Sequence, residues 1–267
     1  MQGQRIPIGE VTLNVVIQGE GEPVLLAHGF PLDHSMWEAQ INVLAAEGYQ
    51  VIAPDLRGFG KSDPAKDKTT MSQFADDLSR LLAKLNVTKP VTFCGLSMGG
   101  YIAWQFFLRH RARLARLILC DTRANDDDEN VARGRLVMAA EVERFGLEKA
   151  PGTMLPKLLG PVTLEKNEAV VEALRATILR QDPAGVAAAQ RGMAERQNVV
   201  DVLPTIDVPT LLICGDADAI TPPEVMQEMA AAIPGAEYAE IAHAGHMAPM
   251  ERAVETNTAM LDFLKST

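Results

Sequence analysis

Short apolar runs, each closed by turn residues, constrain the fold of this chain more than any other feature. Residues 12–18, 23–27, 49–53, 91–94, 114–120, 210–214 and 237–241 read as strands. Segments of helix length separate the later runs, the pattern of βαβ units and a mostly parallel sheet. Runs 12–18 and 23–27 lie close together and read as an antiparallel hairpin at one sheet edge. With 267 residues, 47% of them hydrophobic, the chain can bury a large core without disulfides or a structural metal.

Between about Arg123 and Val200 the strand signals stop. The segment is rich in Ala, Glu, Arg and Met, and its helical periodicity breaks at Pro151-Gly152, Gly160-Pro161 and Asp182-Pro183. An all-helical insertion of this kind predicts a cap over residues 123–200, with residues 1–122 and 201–267 forming the core domain. Start signals place other helices. Ser35-x-x-Glu38 reads as a capping box for a helix ending near Gly48. Thr70 or Ser72 caps a helix through Leu85, with Phe74, Leu78, Leu81 and Leu82 at helical spacing. Asp182-Pro183 supplies an N-cap and a first-turn proline.

Charge narrows the partners. The balance of 25 Lys and Arg against 35 Asp and Glu gives −10, which offers no general attraction to phosphate backbones and argues against nucleic acid. Asp126–Glu129 reads as a solvated loop opening a helix. Cys94, Cys120 and Cys214 are too few and too far apart for a disulfide framework or a zinc site, and read as buried strand thiols. The opening MQGQRIPIGE has no apolar core of a signal peptide, and no apolar stretch reaches membrane-spanning length. The expectation is a cytoplasmic protein without membrane association; the oligomeric state is left open.

The chemistry concentrates after the run 91–94. Gly95-Leu96-Ser97-Met98-Gly99 follows a strand and opens a helix. In that setting a glycine two residues either side of the serine permits a sharp turn that holds the hydroxyl outward. A serine needs a base to take its proton, and the base needs an orienting acid. His246, in a loop just after the last strand, is the candidate base, with His243 as competitor. Asp218 is the candidate acid, with Asp216 and Asp121 as alternatives. The backbone N–H groups of Met98 and Phe30 are candidate oxyanion donors, and Gly29 lets its loop approach the serine. His28, Gly29, Met247, Met138 and Leu158 are candidate substrate contacts. Phe145, Met154 and Met193, like Met138 and Leu158, read first as packing of the cap on the core and second as ligand contacts, and Trp37 and Trp104 read as core. Asp55–Ser62 ends like a phosphate-binding loop but carries Asp55 where that motif requires glycine. It reads instead as a buttress for the site, with Gly58 and Gly60 supplying unusual backbone angles.

His28-Gly29-Phe30-Pro31, Asp55–Ser62, Gly95–Gly100, Gly215-Asp-Ala-Asp218 with Pro222, and Gly245-His246 occur in one order along nearly the whole chain. In that order they resemble the α/β-hydrolase superfamily. The resemblance implies an eight-stranded, mostly parallel sheet with a helical cap after the sixth strand. It also implies Ser97, Asp218 and His246 as triad, and Phe30 and Met98 as oxyanion donors. The stretch from Cys94 to Gly100 is similar to enol-lactonases of aromatic catabolism.

Together these features predict a serine hydrolase acting on carboxylic esters of small or medium size through an acyl-enzyme on Ser97, with no metal and no cofactor. The alternatives are a lactone or carbon–carbon bond hydrolase, a cofactor-free perhydrolase or haloperoxidase, and, outside catalysis, a ligand receptor on the same fold.

Overall fold

The computed structural model describes residues 2–267. Its strands are β1 (Gln4–Pro7), β2 (Thr12–Gln18), β3 (Glu22–Ala27), β4 (Tyr49–Pro54), β5 (Val91–Leu96), β6 (Leu114–Cys120), β7 (Thr210–Gly215) and β8 (Glu237–Ile241). Among the described residues they form one eight-stranded sheet in the order β1-β2-β4-β3-β5-β6-β7-β8. β3 to β8 run parallel, and β1–β2 and β2–β4 pair antiparallel. The central strands are buried throughout, as expected of a sheet covered on both faces.

The edge hairpin differs from expectation. β2 pairs with β1 on one side and β4 on the other, so it never meets β3. β1 was too short and too exposed to register as a strand in the sequence. It pairs along one edge of β2 while β4 takes the other edge and lies between β2 and β3.

Helices α1 (Glu38–Ala46), α2 (Met71–Lys84) and α3 (Met98–His110) belong to the core. Between β6 and β7 the chain is helical, with α4 (Glu129–Phe145), α5 (Ala150–Leu158), α6 (Pro161–Lys166), α7 (Glu168–Leu179) and α8 (Pro183–Ala194). α9 (Pro223–Ala232), α10 (Ala248–Glu251) and α11 (Ala253–Ser266) complete the core. Among the described residues no helix is long and apolar enough to cross a membrane.

The caps explain several boundaries. Thr70 accepts from the Gln73 N–H at the start of α2, and Asp182 from the Ala184 N–H at the start of α8. The expected Ser35–Glu38 box does not form. Asp33 accepts from the Ser35 N–H and opens a 3-10 turn, His34–Trp37, that leads into α1. Asp128 caps α4, but its neighbour Asp127 is not solvated: it is buried between Arg135 and Arg196. Cys94, Cys120 and Cys214 are buried free thiols, and Trp37 and Trp104 are core residues.

Candidate active site

Ser97 sits between β5 and α3 with φ 53° and ψ −110°. Its neighbours show why this turn needs glycine. A Cβ on Gly95 would lie 2.3 Å from the Gly99 carbonyl oxygen, and one on Gly99 would lie 2.2 Å from that of Ala27. The Ser97 N–H donates to Cys120 O at 3.0 Å, and Thr122 Oγ1 donates to Ser97 O at 2.8 Å. The strained residue is thus tied to the end of β6 on both sides of its peptide unit. Met98 is the first residue of α3, where N–H groups lack partners four residues back.

His246 and Asp218 follow β8 and β7, at the same end of the sheet. His246 Nδ1 lies 2.8 Å from Asp218 Oδ2, and both side chains are essentially buried. Asp218 also accepts from the N–H groups of Ile220 at 2.7 Å and Thr221 at 3.0 Å, and from the Thr221 hydroxyl. Burial alone would raise its pKa, but the charge and hydrogen bond of His246 and the Thr221 donors outweigh burial and lower it. With Nδ1 held by a carboxylate, Nε2 is the ring nitrogen left to exchange a proton.

Ser97 and His246 line one cavity of about 490 Å³, together with Phe30, Tyr101, Met138, Leu158 and Ile220. Met154 and Met193 also line it. Of their two readings, packing and ligand contact, the cavity wall leaves both methionines open to the second, because helical periodicity does not distinguish a core face from a cavity wall.

The rival positions lie elsewhere. His243 and Asp216 are exposed. Asp121 is wholly buried; its Oδ1 accepts from Gly215 N–H at 2.8 Å, and its Oδ2 has no partner. Burial, reinforced by the charge of Asp218, pushes the Asp121 carboxyl well above the usual range.

Two expected substrate contacts are corrected. His28 is fully buried; Nδ1–H donates to Gly29 O at 2.9 Å and Nε2 accepts from Leu56 N–H at 3.0 Å. Burial lowers its pKa, so a neutral imidazole joins the Phe30 loop to the segment after β4. Met247 is buried in the core beneath the sheet. Gly29 serves close approach: a Cβ there would lie 2.6 Å from Leu96 Cδ2 and 3.7 Å from Ser97 Cβ. The segment 55–62 buttresses as expected. Asp55 accepts from Asn14 Nδ2, His34 N–H and Lys61 N–H, and Arg57 makes a buried two-point bond to Asp77.

Glu251 was missed. Its Oε1 accepts from the N–H groups of Gly245 at 2.8 Å and Met247 at 3.2 Å, bracketing His246. Its Oε2 accepts from Gly160 N–H at 2.8 Å, between α5 and α6. A lone glutamate in a C-terminal helix carries no sequence signal for this role.

Among the described residues, two clusters have ligating atoms within 4.8 Å of one another: Asp33, His34 and Asp55, and Asp121, Cys214 and Asp218. In the first, Arg180 takes both oxygens of Asp33 and the donors named above occupy Asp55. In the second, His246 and Thr221 occupy Asp218. The unpaired Asp121 Oδ2 is thus left without a free carboxylate beside it to complete a ligand set.

Known proteins share this fold. A thermophilic esterase from Thermogutta terrifontis superposes with a TM-score of 0.96 at 43% identity, covering 100% of this chain and 99% of that one. The enol-lactonase from Burkholderia xenovorans LB400 superposes with a TM-score of 0.91 at 28% identity, over 98% and 100%. The AB hydrolase superfamily protein YisY of Bacillus subtilis is 30% identical over 261 residues, 96% of each chain. With the family model for the alpha/beta hydrolase fold matching residues 22–253, this chain belongs to the α/β-hydrolase family.

Proposed function

We propose that the protein is a carboxylesterase that cleaves esters of small or medium size through an acyl-enzyme on Ser97. The observation that carries this reading is the 2.8 Å contact between His246 Nδ1 and Asp218 Oδ2 behind a cavity whose wall includes both His246 and Ser97. His246 Nε2 takes the Ser97 proton as Oγ attacks the ester carbonyl. The N–H groups of Phe30 and Met98 hold the oxyanion. The carbonyl re-forms, the C–O bond breaks, and His246 gives its proton to the leaving alcohol. Water then attacks the acyl-enzyme, with His246 again as base, and releases the acid and the free serine. Asp218 keeps the ring in the tautomer that presents Nε2 as acceptor.

A fluorophosphonate probe with peptide mapping, alongside hydrolysis of p-nitrophenyl acetate, tests the reading. Ser97 should carry the label, and Ser97→Ala or His246→Ala should lower kcat by about 10³-fold or more. His243→Ala should cost far less. Label on another serine, or an active Ser97→Ala protein, would overturn it. Lactone hydrolysis is the second reading, supported by the similarity to the B. xenovorans enol-lactonase. A lactone is a cyclic ester and needs the same groups, so parallel rates on esters and lactones decide between them.

A further inference from the structure

The helices between β6 and β7 form two groups. α4 packs along α8, and α5 packs on α7. α4 keeps an apolar edge that is only partly covered: Val131, Met138 and Phe145 recur every seven residues on one face and are 47%, 36% and 65% exposed, with Met138 Sδ accepting from Gln190 Nε2 of α8 at 2.8 Å. That edge borders two open spaces. Val131 and Met138 line the cavity that holds Ser97 and His246. Met138 and Phe145 line a second cavity of about 400 Å³.

The two cavities share Phe30, Met138, Thr153 and Met154, so they meet across these side chains. The second is otherwise walled by Leu147, Ala150 and Val186, with Glu141 and Lys149 at its exposed rim. One charge of each sign at the rim selects for neither anion nor cation. Two of the shared residues are methionines, whose unbranched side chains rearrange readily around a flexible ligand.

We propose that this second chamber receives the acyl chain of the substrate, which makes the favoured substrate an ester of an uncharged, linear, medium-chain carboxylic acid. The inference rests on the esterase reading above. Orientation follows from the chemistry. The leaving alcohol must sit beside His246, and the second chamber is lined by Phe30 but not by His246. The chain on the acyl side of the carbonyl is therefore the one that can enter it. Met138 and Phe145 lie about 10 Å apart along α4 at 1.5 Å per residue, about the length of an extended octanoyl chain.

The test is the chain-length profile of kcat/KM for p-nitrophenyl esters from acetate to dodecanoate. Each methylene buried should add up to roughly fourfold, so the value should climb until octanoate and then level. Ethyl octanoate should be preferred to octyl acetate. Phe145→Ala opens the chamber to water and Ala150→Trp fills it; each should lower the octanoate-to-acetate ratio by about tenfold or more. Phe145 is surface-exposed, so that variant folds even if Ala150→Trp does not. Leu136→Ala, on α4 but at neither cavity, should leave the ratio as it was. A flat profile, a preference for octyl acetate, or variants without effect on the ratio would overturn the proposal. If no ester of any length is cleaved, the esterase reading fails, and calorimetry decides the chamber separately. Sodium octanoate that binds more tightly than butanoate in the parent protein, but not in Phe145→Ala, would sustain it. Equal binding would overturn it.

Discussion

Asp121 and Asp218 bring carboxylate oxygens within 4.8 Å of each other, but Asp218 is the one that meets the imidazole of His246. Two buried carboxylates at this spacing cannot both ionise cheaply. Their surroundings separate them. Asp218 has His246 and the Thr221 donors, whereas Asp121 has one N–H and a bare Oδ2. The surroundings of Asp218 favour its charged form, and those of Asp121 its protonated form.

The two residues should therefore respond oppositely to amide substitution. Asp218→Asn should lower kcat by about 10⁴-fold, because His246 loses the acceptor that selects its tautomer. Asp121→Asn should keep most activity, because the amide oxygen can still accept from Gly215 N–H and burial already favours the uncharged form at this position. Steady-state kinetics on both variants checks this; the reverse ranking would move the acid to the loop after β6.

Asp121 should also leave a mark on stability against pH. Its pKa is raised on folding, so the native state holds a proton that the unfolded chain releases above its ordinary value near 3.9. Stability from this site then falls as pH rises through that value toward the folded one. Asp121→Asn removes the dependence. Its thermal midpoint should gain on the parent protein as pH is raised from about 5 to about 8, read by calorimetry across that range.

Glu251 should behave as a positioning residue. Glu251→Gln retains the shape but turns one acceptor into a donor that faces Gly160 N–H or the N–H groups beside His246. Each donor left without a partner costs about 1–3 kcal/mol. We expect a lower melting temperature and a kcat that falls more than KM rises. Glu251→Asp should recover neither, because it is too short to span Gly245 and Gly160.

Asp33, in the loop after β3, joins that loop to the helical segment between β6 and β7. Arg180, just past the end of α7, donates to both Asp33 oxygens at 2.8 Å. Burial alone would raise the Asp33 pKa, but the Arg180 and Ser35 hydrogen bonds hold it well below the usual range. A lowered folded value stabilises above the unfolded pKa and is lost as pH falls below it. Asp33→Asn should cost about 2 kcal/mol at neutral pH, discounted because Arg180 is partly exposed. That deficit should narrow below about pH 4, as denaturant titrations at both pH values would show.

The features legible in the sequence are those whose physics is local. The Ser97 turn is one: the strand and helix on either side announce themselves by periodicity, and Gly95 is required by contact with Gly99 at the head of that helix, although Gly99 is required by Ala27 on the distant β3. The parallel sheet and the helical cap are legible for the same reason, since apolar runs and turn residues recur within short windows. His246 and Asp218 could be nominated because each follows a strand, and parallel strands all end at one edge.

What the tertiary structure decided depends on residues far apart in the chain. The partner of β2 was set by a short strand with almost no burial pattern of its own. Asp218 was separated from Asp121 by which carboxylate gathers donors, and those come from Thr221 and His246 on one side and Gly215 alone on the other. His28 and Met247 adjoin functional residues in sequence yet point into the core, since an imidazole or thioether buries wherever packing and backbone donors receive it. Glu251 acts on His246 only because α10 turns back under the loop. The paired cavities exist because α4 and α5 pack on different partners and leave the space between them open. Periodicity assigns a side chain to a helix face, but only the assembled chain determines whether that face meets another helix or a cavity.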